Sequence, residues 1–474
     1  MDATDSPGVN GHIVKKRLPP ITPREWVLLL VLAAIQFTAV VDFMIIMPLQ
    51  PAYRRLWPDL TPDRFGIIVG SYAFAAFCSG MFGAFFTDRF DRKRSMLVLY
   101  AGFTFGTFLC GVAPDYWWLV AARVVAGAFG GIMGAVALAI VGDLFHDERR
   151  GRATGVLMWG FSLATIAGVP AGLFLKKAWD GAPGSPFIAL ALLSVAIWVL
   201  ALFVLPAVRG HLAPEARMFK DNPYDNNPAG PAHQMIHSMI RVITDTAHVR
   251  AYVFMFFVVM STFLLFPFVA GYVVANMGLN EDWELPWLYV CGGGTTFFVM
   301  PFVGWLADRF GKRALFRITG GLTAVPILLI TNLQALIGGI DSRVAVVLLT
   351  LAASTLLMVF ASARIVPAMA MVTASTRPRY RGSFLSFTAA VQQLAGAIAS
   401  AVAGFILVQK DEHGPIERFP IVGLLGASMA IFAVFLAQLL LPAEIEPDVP
   451  NEPETEEELV IEGRASDTGV GSPS

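Results

Sequence analysis

Three residues of this sequence carry charge where charge is costly. Asp42 stands in Val40-Val41-Asp42-Phe43-Met44-Ile45-Ile46-Met47-Pro48, Arg123 in Ala121-Ala122-Arg123-Val124-Val125-Ala126-Gly127, and Arg364 in Ser362-Ala363-Arg364-Ile365-Val366-Pro367. An ionised side chain at the middle of a membrane span costs about 2.5–3.5 kcal/mol on insertion scales, so such a residue is a functional candidate by default. Asp42 suits a proton carrier, a substrate contact or one member of an ion pair; a static hydrogen bond is the bland alternative. Arg123 follows Trp118 by five residues, roughly 7 Å along a helix. Its side chain is long enough to turn inward to Asp42 or to snorkel outward. Arg364 is a lone cation, suited to an anionic or polar group of a substrate or to a pair across a cavity. Gln392 and Gln393 are polar candidates for that same cavity, unless one of them faces a neighbouring helix.

The elements that position these residues follow from composition. The 474 residues are 56% hydrophobic and 15% charged, against about 25% charged in soluble proteins. The net charge of −1 gives no nucleic-acid surface. Cys78, Cys110 and Cys291 lie singly in apolar runs, with no spacing for a metal or a disulfide framework. Stretches long enough to span a bilayer fall near 26–50, 65–86, 95–113, 117–143, 153–175, 185–206, 251–275, 286–307, 315–335, 344–374, 383–408 and 419–441. All must be helices, because a segment in lipid has to satisfy its own backbone hydrogen bonds. The expected fold is an all-α membrane protein of twelve transmembrane helices.

Lysine and arginine orient it. With both termini placed in the cytoplasm, 24 of the 34 basic residues fall in inner segments (counting Arg317, at the inner edge of the ninth span), 8 in outer ones and 2 within spans. That bias favours a multi-pass protein of a bacterial inner membrane with both ends inside. Segment 1–25 is a cytoplasmic leader into the first span, 26–206 a six-helix bundle, 207–247 a polar central cytoplasmic loop, and 248–441 a second six-helix bundle. Residues 442–474 form an acidic tail with too little apolar surface to bury a core, and are expected to be disordered.

The two bundles repeat one another. Ala84-Phe85-Phe86-Thr87-Asp88-Arg89-Phe90-Asp91-Arg92-Lys93-Arg94 follows span two, and Gly304-Trp305-Leu306-Ala307-Asp308-Arg309-Phe310-Gly311-Lys312-Arg313 follows span eight. Asp308 trails Asp88 by 220 positions, and Pro267 trails Pro48 by 219. Both loops resemble the G-x-x-x-D-R-x-G-R/K-R/K motif of the major facilitator superfamily. The second copy fits it fully; the first has Ala84 and Asp91 where the motif has glycine. The resemblance covers about residues 25–441 and implies the major facilitator fold, two pseudo-symmetric six-helix bundles with a substrate site between them. It also implies an inner gate of charge pairs: Asp88, Arg89, Arg92 and Asp143 in the first bundle, Asp308, Arg309 and Lys312 in the second. Without it, these loops read as ordinary positive-inside turns.

Arg123 and Gly127 resemble the R-x-x-x-G motif of span four, linked in that family to proton coupling. Span four also carries Gly131, and small residues let membrane helices approach closely. In span five, Gly168-Val169-Pro170-Ala171-Gly172 resembles the G-P-x-x-G element of antiporters, with Val169 inserted; packing and a bend at Pro170 would explain the same residues.

The resemblance to the drug:proton antiporter branch implies a monomeric secondary transporter in the lipid bilayer. It would exchange protons for a small-molecule substrate, with no cofactor and no catalysis. Asp42 and Arg123 would couple the proton, and Arg364, Gln392 and Gln393 would face the substrate. A proton-coupled symporter importing a small anionic or sugar-like metabolite remains open on Arg364, and a non-transporting membrane sensor more remotely. ATP-driven transport has no support, because Phe310-Gly311-Lys312-Arg313 lacks the Ser/Thr that a P-loop places after lysine.

Overall fold

In the computed structural model the described residues are 21–87, 90–145, 147–208, 240, 242–376, 381–411 and 414–440, and nearly all are helical. Asp88, Arg89, most of the central loop and the acidic tail 442–474 lie outside them. The first half comprises α1 (Pro23–Ile45), α2 (Gln50–Leu56), α3 (Pro62–Thr87), α4 (Arg92–Gly111), α5 (Tyr116–Leu144), α6 (Asp147–Leu163), α7 (Val169–Ala178) and α8 (Ser185–Val204). The second comprises α9 (Thr246–Phe263), α10 (Phe266–Met277), α11 (Leu285–Phe310), α12 (Lys312–Leu322), α13 (Ala324–Thr331), α14 (Leu333–Ile337), α15 (Arg343–Ala363), α16 (Ile365–Ala374), α17 (Arg381–Ile406) and α18 (Phe419–Leu436).

Eleven segments are long and apolar enough to cross a membrane. The twelfth is α4, whose first turn is Arg92-Lys93-Arg94 and whose 20 residues are correspondingly less apolar. The twelve spans form two six-helix bundles of the same design.

The repeat is visible in the interruptions. The first span breaks at Ile46–Leu49, between α1 and α2, and the seventh breaks at Leu264–Leu265, between α9 and α10. Pro48 and Pro267 lie at these breaks, and a proline has no N–H for the carbonyl four residues back. The fifth span contains a π-helical turn, Ala164–Gly168, immediately before Val169 and Pro170. The tenth is interrupted at Arg364, three residues before Pro367.

Glycines set the close helix contacts. Gly127 and Gly131 of α5 lie on the backbone of Tyr72 and Ala76 of α3. Gly168 lies on Phe37 and Val41, and Gly172 on Ile45, so the fifth span packs on the first. Between the halves, α3 meets α17 with Gly66 and Gly70 on the carbonyls of Ser400 and Ala397.

The apolar core is divided unevenly. Both helix-bearing ends of the chain, Pro23 and Leu440, lie on one face, here called the terminal face. Toward it each half keeps its own core: Leu29, Tyr100, Ile140 and Leu157 in the first, and Phe254, Phe316, Val372 and Phe384 in the second. Toward the opposite, far face the halves share one core, in which Ile45, Phe65 and Leu173 join Leu265, Phe268, Leu285 and Phe419.

Candidate functional site

Asp42 and Arg123 meet inside the first bundle. Arg123 Nη1 is 2.8 Å from Asp42 Oδ2 and 3.1 Å from the Asp42 backbone carbonyl. Thr107 Oγ1 donates to Asp42 Oδ1 at 2.9 Å. The guanidinium lies over the Tyr72 ring, 4.3 Å from its centroid. Arg123 thus turns inward rather than snorkelling. Four helices build the cluster: α1 carries the acid, α5 the base, α4 the hydroxyl and α3 the aromatic face. Both charged side chains have no solvent exposure. Such a pair stands only because each charge compensates the other; removing one partner strands the other in a medium that cannot solvate it. Among the described residues Nε and Nη2 of Arg123 have no hydrogen-bond partner, and the guanidinium gains attraction to the Tyr72 face.

Arg364 is also fully buried. It caps α15, and its Nη2 donates to Val258 O at 2.9 Å, to Ser261 Oγ at 2.7 Å and to Thr262 Oγ1, all on α9. Its Nε and Nη1 have no partner, and no carboxylate pairs with it among the described residues. Gln392 and Gln393 are half-buried on α17; Gln392 Nε2 approaches Met369 Sδ at 3.7 Å. Neither glutamine bonds to Arg364 among the described residues, so the three do not form one cluster here. Between the halves lies a cavity of about 20 Å³, lined by Met44, Met47, Phe266, Val269, Leu288, Tyr289, Ser354, Leu357 and Met358.

The halves are pinned together on the far face. Arg55 makes two bonds to Glu281, at 2.8 and 2.6 Å. Lys176, with a side chain 2% exposed, lies 3.3 Å from both Glu281 and Asp282. Lys177 Nζ sits 3.3 Å from the centre of the Trp283 ring. Arg54 donates to the carbonyls of Gln409, at 3.3 Å, and Asp411, at 3.0 Å. Every side-chain hydrogen bond and ion pair joining the halves among the described residues is on this face.

At the terminal face the repeated loops differ. Arg92 Nε is 3.3 Å from Asp143 Oδ2, the juxtaposition expected for the first copy; Asp88 and Arg89 lie outside the described residues. Asp91, where the motif has glycine, caps α4 by accepting from Lys93 N at 2.9 Å and also accepts from Val208 N at 3.2 Å. Its φ is −54°, so no glycine is needed. Gly311, the second copy's glycine, has φ +87°, a region that side chains disfavour. Asp308 and Lys312 are exposed, and Arg309 lies over Trp305, 5.3 Å from its centroid. Among the described residues these three form no ion pair.

Sequence reasoning missed Thr107 and Tyr72 around Asp42, Ser261 and Thr262 around Arg364, and the charges joining the halves. A threonine or tyrosine in an apolar run carries no distinguishing signal. Lys176 did carry one: a base still within the helical pattern of span five.

The comparisons with known proteins agree with this architecture. The family model of the Major Facilitator Superfamily matches residues 32–333 and, overlapping it, 251–466. An MFS-type transporter of Bacillus subtilis, YbcL, is 25% identical over 77% of this chain and 83% of its own. The class C tetracycline resistance protein of Escherichia coli is 30% identical over 38% of this chain and 44% of its own. The crystal structure of a D-xylose–proton symporter superposes with a TM-score of 0.66 at 15% identity, covering 88% of this chain and 98% of that one. This chain belongs to the Major Facilitator Superfamily, as a multi-pass membrane transporter of that fold.

Proposed function

We propose that the protein exports a small molecule in exchange for protons, by alternating access between its two halves. The observation that carries this reading is the Asp42–Arg123–Thr107 cluster. A carboxylate held by one guanidinium and one hydroxyl, sealed from solvent, can trade its arginine for a proton when the helices around it move. The alternation of the two bundles supplies that movement. The π-turn before Pro170 marks the fifth span as a place where packing on the first can rearrange. Export is supported by the tetracycline resistance relative and by the antiporter-like glycines of span five. The cavity between the halves has no charged lining, and Met44, Met47 and Met358 give it adaptable walls, as an apolar cargo requires. The bias of basic residues makes the terminal face cytoplasmic, and the far face, closed in this conformation, external. Each chain holds a full pathway and works as a monomer.

The test is flux in proteoliposomes, after a thermal-shift screen of compounds on the purified protein identifies a cargo. Uptake into inside-out vesicles is expected to follow an imposed pH gradient and to stop when the gradient is collapsed. Asp42→Asn is expected to bind cargo yet lose this coupling. Cargo uptake that ignores the gradient, or normal coupling in Asp42→Asn, overturns the reading.

A second reading, proton-driven import of an anionic metabolite, rests on Arg364, whose two unbonded nitrogens suit a carboxylate or phosphate. Direction separates the two. Deletion of the gene makes cells more sensitive to a compound if the protein exports, and removes growth on a nutrient if it imports.

A further inference from the structure

A large cavity on the terminal face is unrelated to the Asp42 cluster. It measures about 720 Å³ and lies in the second half, where α11, α12, the end of α16 and the residues after α18 converge. Lys312, Arg313 and Arg317 line it, with Asp308 as its only acid among the lining residues, and Met371, Ala374 and Leu440 form its apolar wall. All three bases are exposed, and none is ion-paired among the described residues. Arg313 Nη2 donates to the carbonyl of Leu440 at 2.5 Å.

Leu440 is also where an acidic stretch leaves the second bundle. Residues 442–474 contain ten acids and one base, beginning Glu444, Glu446, Asp448 and Glu452. Glu444 is four residues past Leu440, a reach of at most about 14 Å, and Asp448 eight, at most about 29 Å. Pro442, Pro447, Pro450 and Pro453 disfavour a helix. Acids at 444, 446 and 448 in an extended strand recur every two residues, about 7 Å apart, matching a floor that carries several separate cations.

We propose that the acidic segment Glu444–Glu462 of the same chain seats in this basic cavity, joining the α11–α12 turn to the end of α18 and covering Asp308–Lys312. Attachment at Leu440 makes the association intramolecular, with an effective concentration near the millimolar range. A lipid phosphate is attracted by the same charges. The tail is favoured because it departs from the cavity's own wall and supplies acids in series. The proposal does not depend on cargo or direction of transport.

Carbodiimide cross-linking of the full-length protein at low salt, mapped by mass spectrometry, tests it. A cross-link from Lys312 Nζ to a carboxylate within 444–462 is expected. It should fall at least fivefold at 0.5 M salt, where the Debye length is about 4 Å. It should fall likewise in Arg313→Gln/Arg317→Gln, with Lys312 retained as the reporter. Absence of the cross-link at low salt overturns the proposal, as does a cross-link indifferent to salt and to both arginines. Native mass spectrometry adds a second readout. Phosphatidylglycerol bound equally with and without Glu444→Gln/Glu446→Gln/Asp448→Asn, and lost in Arg313→Gln/Arg317→Gln, assigns the cavity to lipid and overturns the tail.

Discussion

Glu281 joins two cations of the first half, and its neutralisation has a calculable effect. In Glu281→Gln, Arg55 loses its bidentate partner. Its side chain is 49% exposed, so that loss is worth about 0.5 kcal/mol after solvent screening. Lys176 is 2% exposed and loses one of two carboxylates while keeping Asp282 at 3.3 Å, a loss of about 1.5 kcal/mol, at the low end for a charge-assisted bond. Together these destabilise the state closed at the far face by about 2 kcal/mol, roughly 30-fold in population. Spin labels at Asp59→Cys and Asp341→Cys, both exposed and in opposite halves, report the opening by pulsed electron resonance in a cysteine-free background. A longer-distance population should grow strongly in Glu281→Gln. The control is Glu417→Gln. Glu417 pairs with Lys410 at 3.1 Å inside the second half, so the distribution should stay as in the parent. An unchanged distribution in Glu281→Gln, or an equal shift in Glu417→Gln, refutes the reasoning.

Three further outcomes follow from single contacts. Thr107→Val removes one of the hydrogen bonds to Asp42 and should cost about 1.5–3 kcal/mol. A melting temperature equal to the parent's would contradict the burial described for Asp42. Gly66→Leu drives a side chain into the Ser400 backbone and should destabilise by at least about 1–3 kcal/mol, whereas Gly142→Ala, with nothing near its Cβ, should be silent in the same thermal assay. Asp91→Ala should cost about 1 kcal/mol through the lost cap on α4, and Asp91→Asn much less; equal melting of Asp91→Ala and parent argues against the cap.

What could be read in the sequence was what lipid makes costly. Asp42 and Arg123 interrupt apolar runs, so both were legible as charges in need of a partner; that Arg123 turns to Asp42, 81 residues away, rather than to the interface is decided by the fold. Pro48 and Pro267 were legible as a repeat because a missing N–H perturbs a helix wherever it stands. The partners of these residues were not legible. Thr107 and Tyr72 differ from other polar and aromatic residues of the spans only in what they face, which the fold decides. The far-face contacts were hidden for another reason. Arg55 and Glu281 read as ordinary loop charges and Lys176 as a base at the end of span five, and only the docking of two bundles brings residues 105 and 226 positions apart into contact. Asp91, an apparent defect in the motif, proved to be a different solution to the same turn.

The α3–α17 contact has a mechanical side. Where Gly66 and Gly70 rest on the Ser400 and Ala397 carbonyls, backbone lies on backbone with no side chain between. Interdigitated cores resist sliding because each step forces rotamers to repack. A surface of bare backbone offers little such resistance. The two bundles therefore meet along a bearing. At these two glycines one helix can roll on the other, and the resistance to such a movement comes from the shared apolar core beside them and the ionic contacts of the far face.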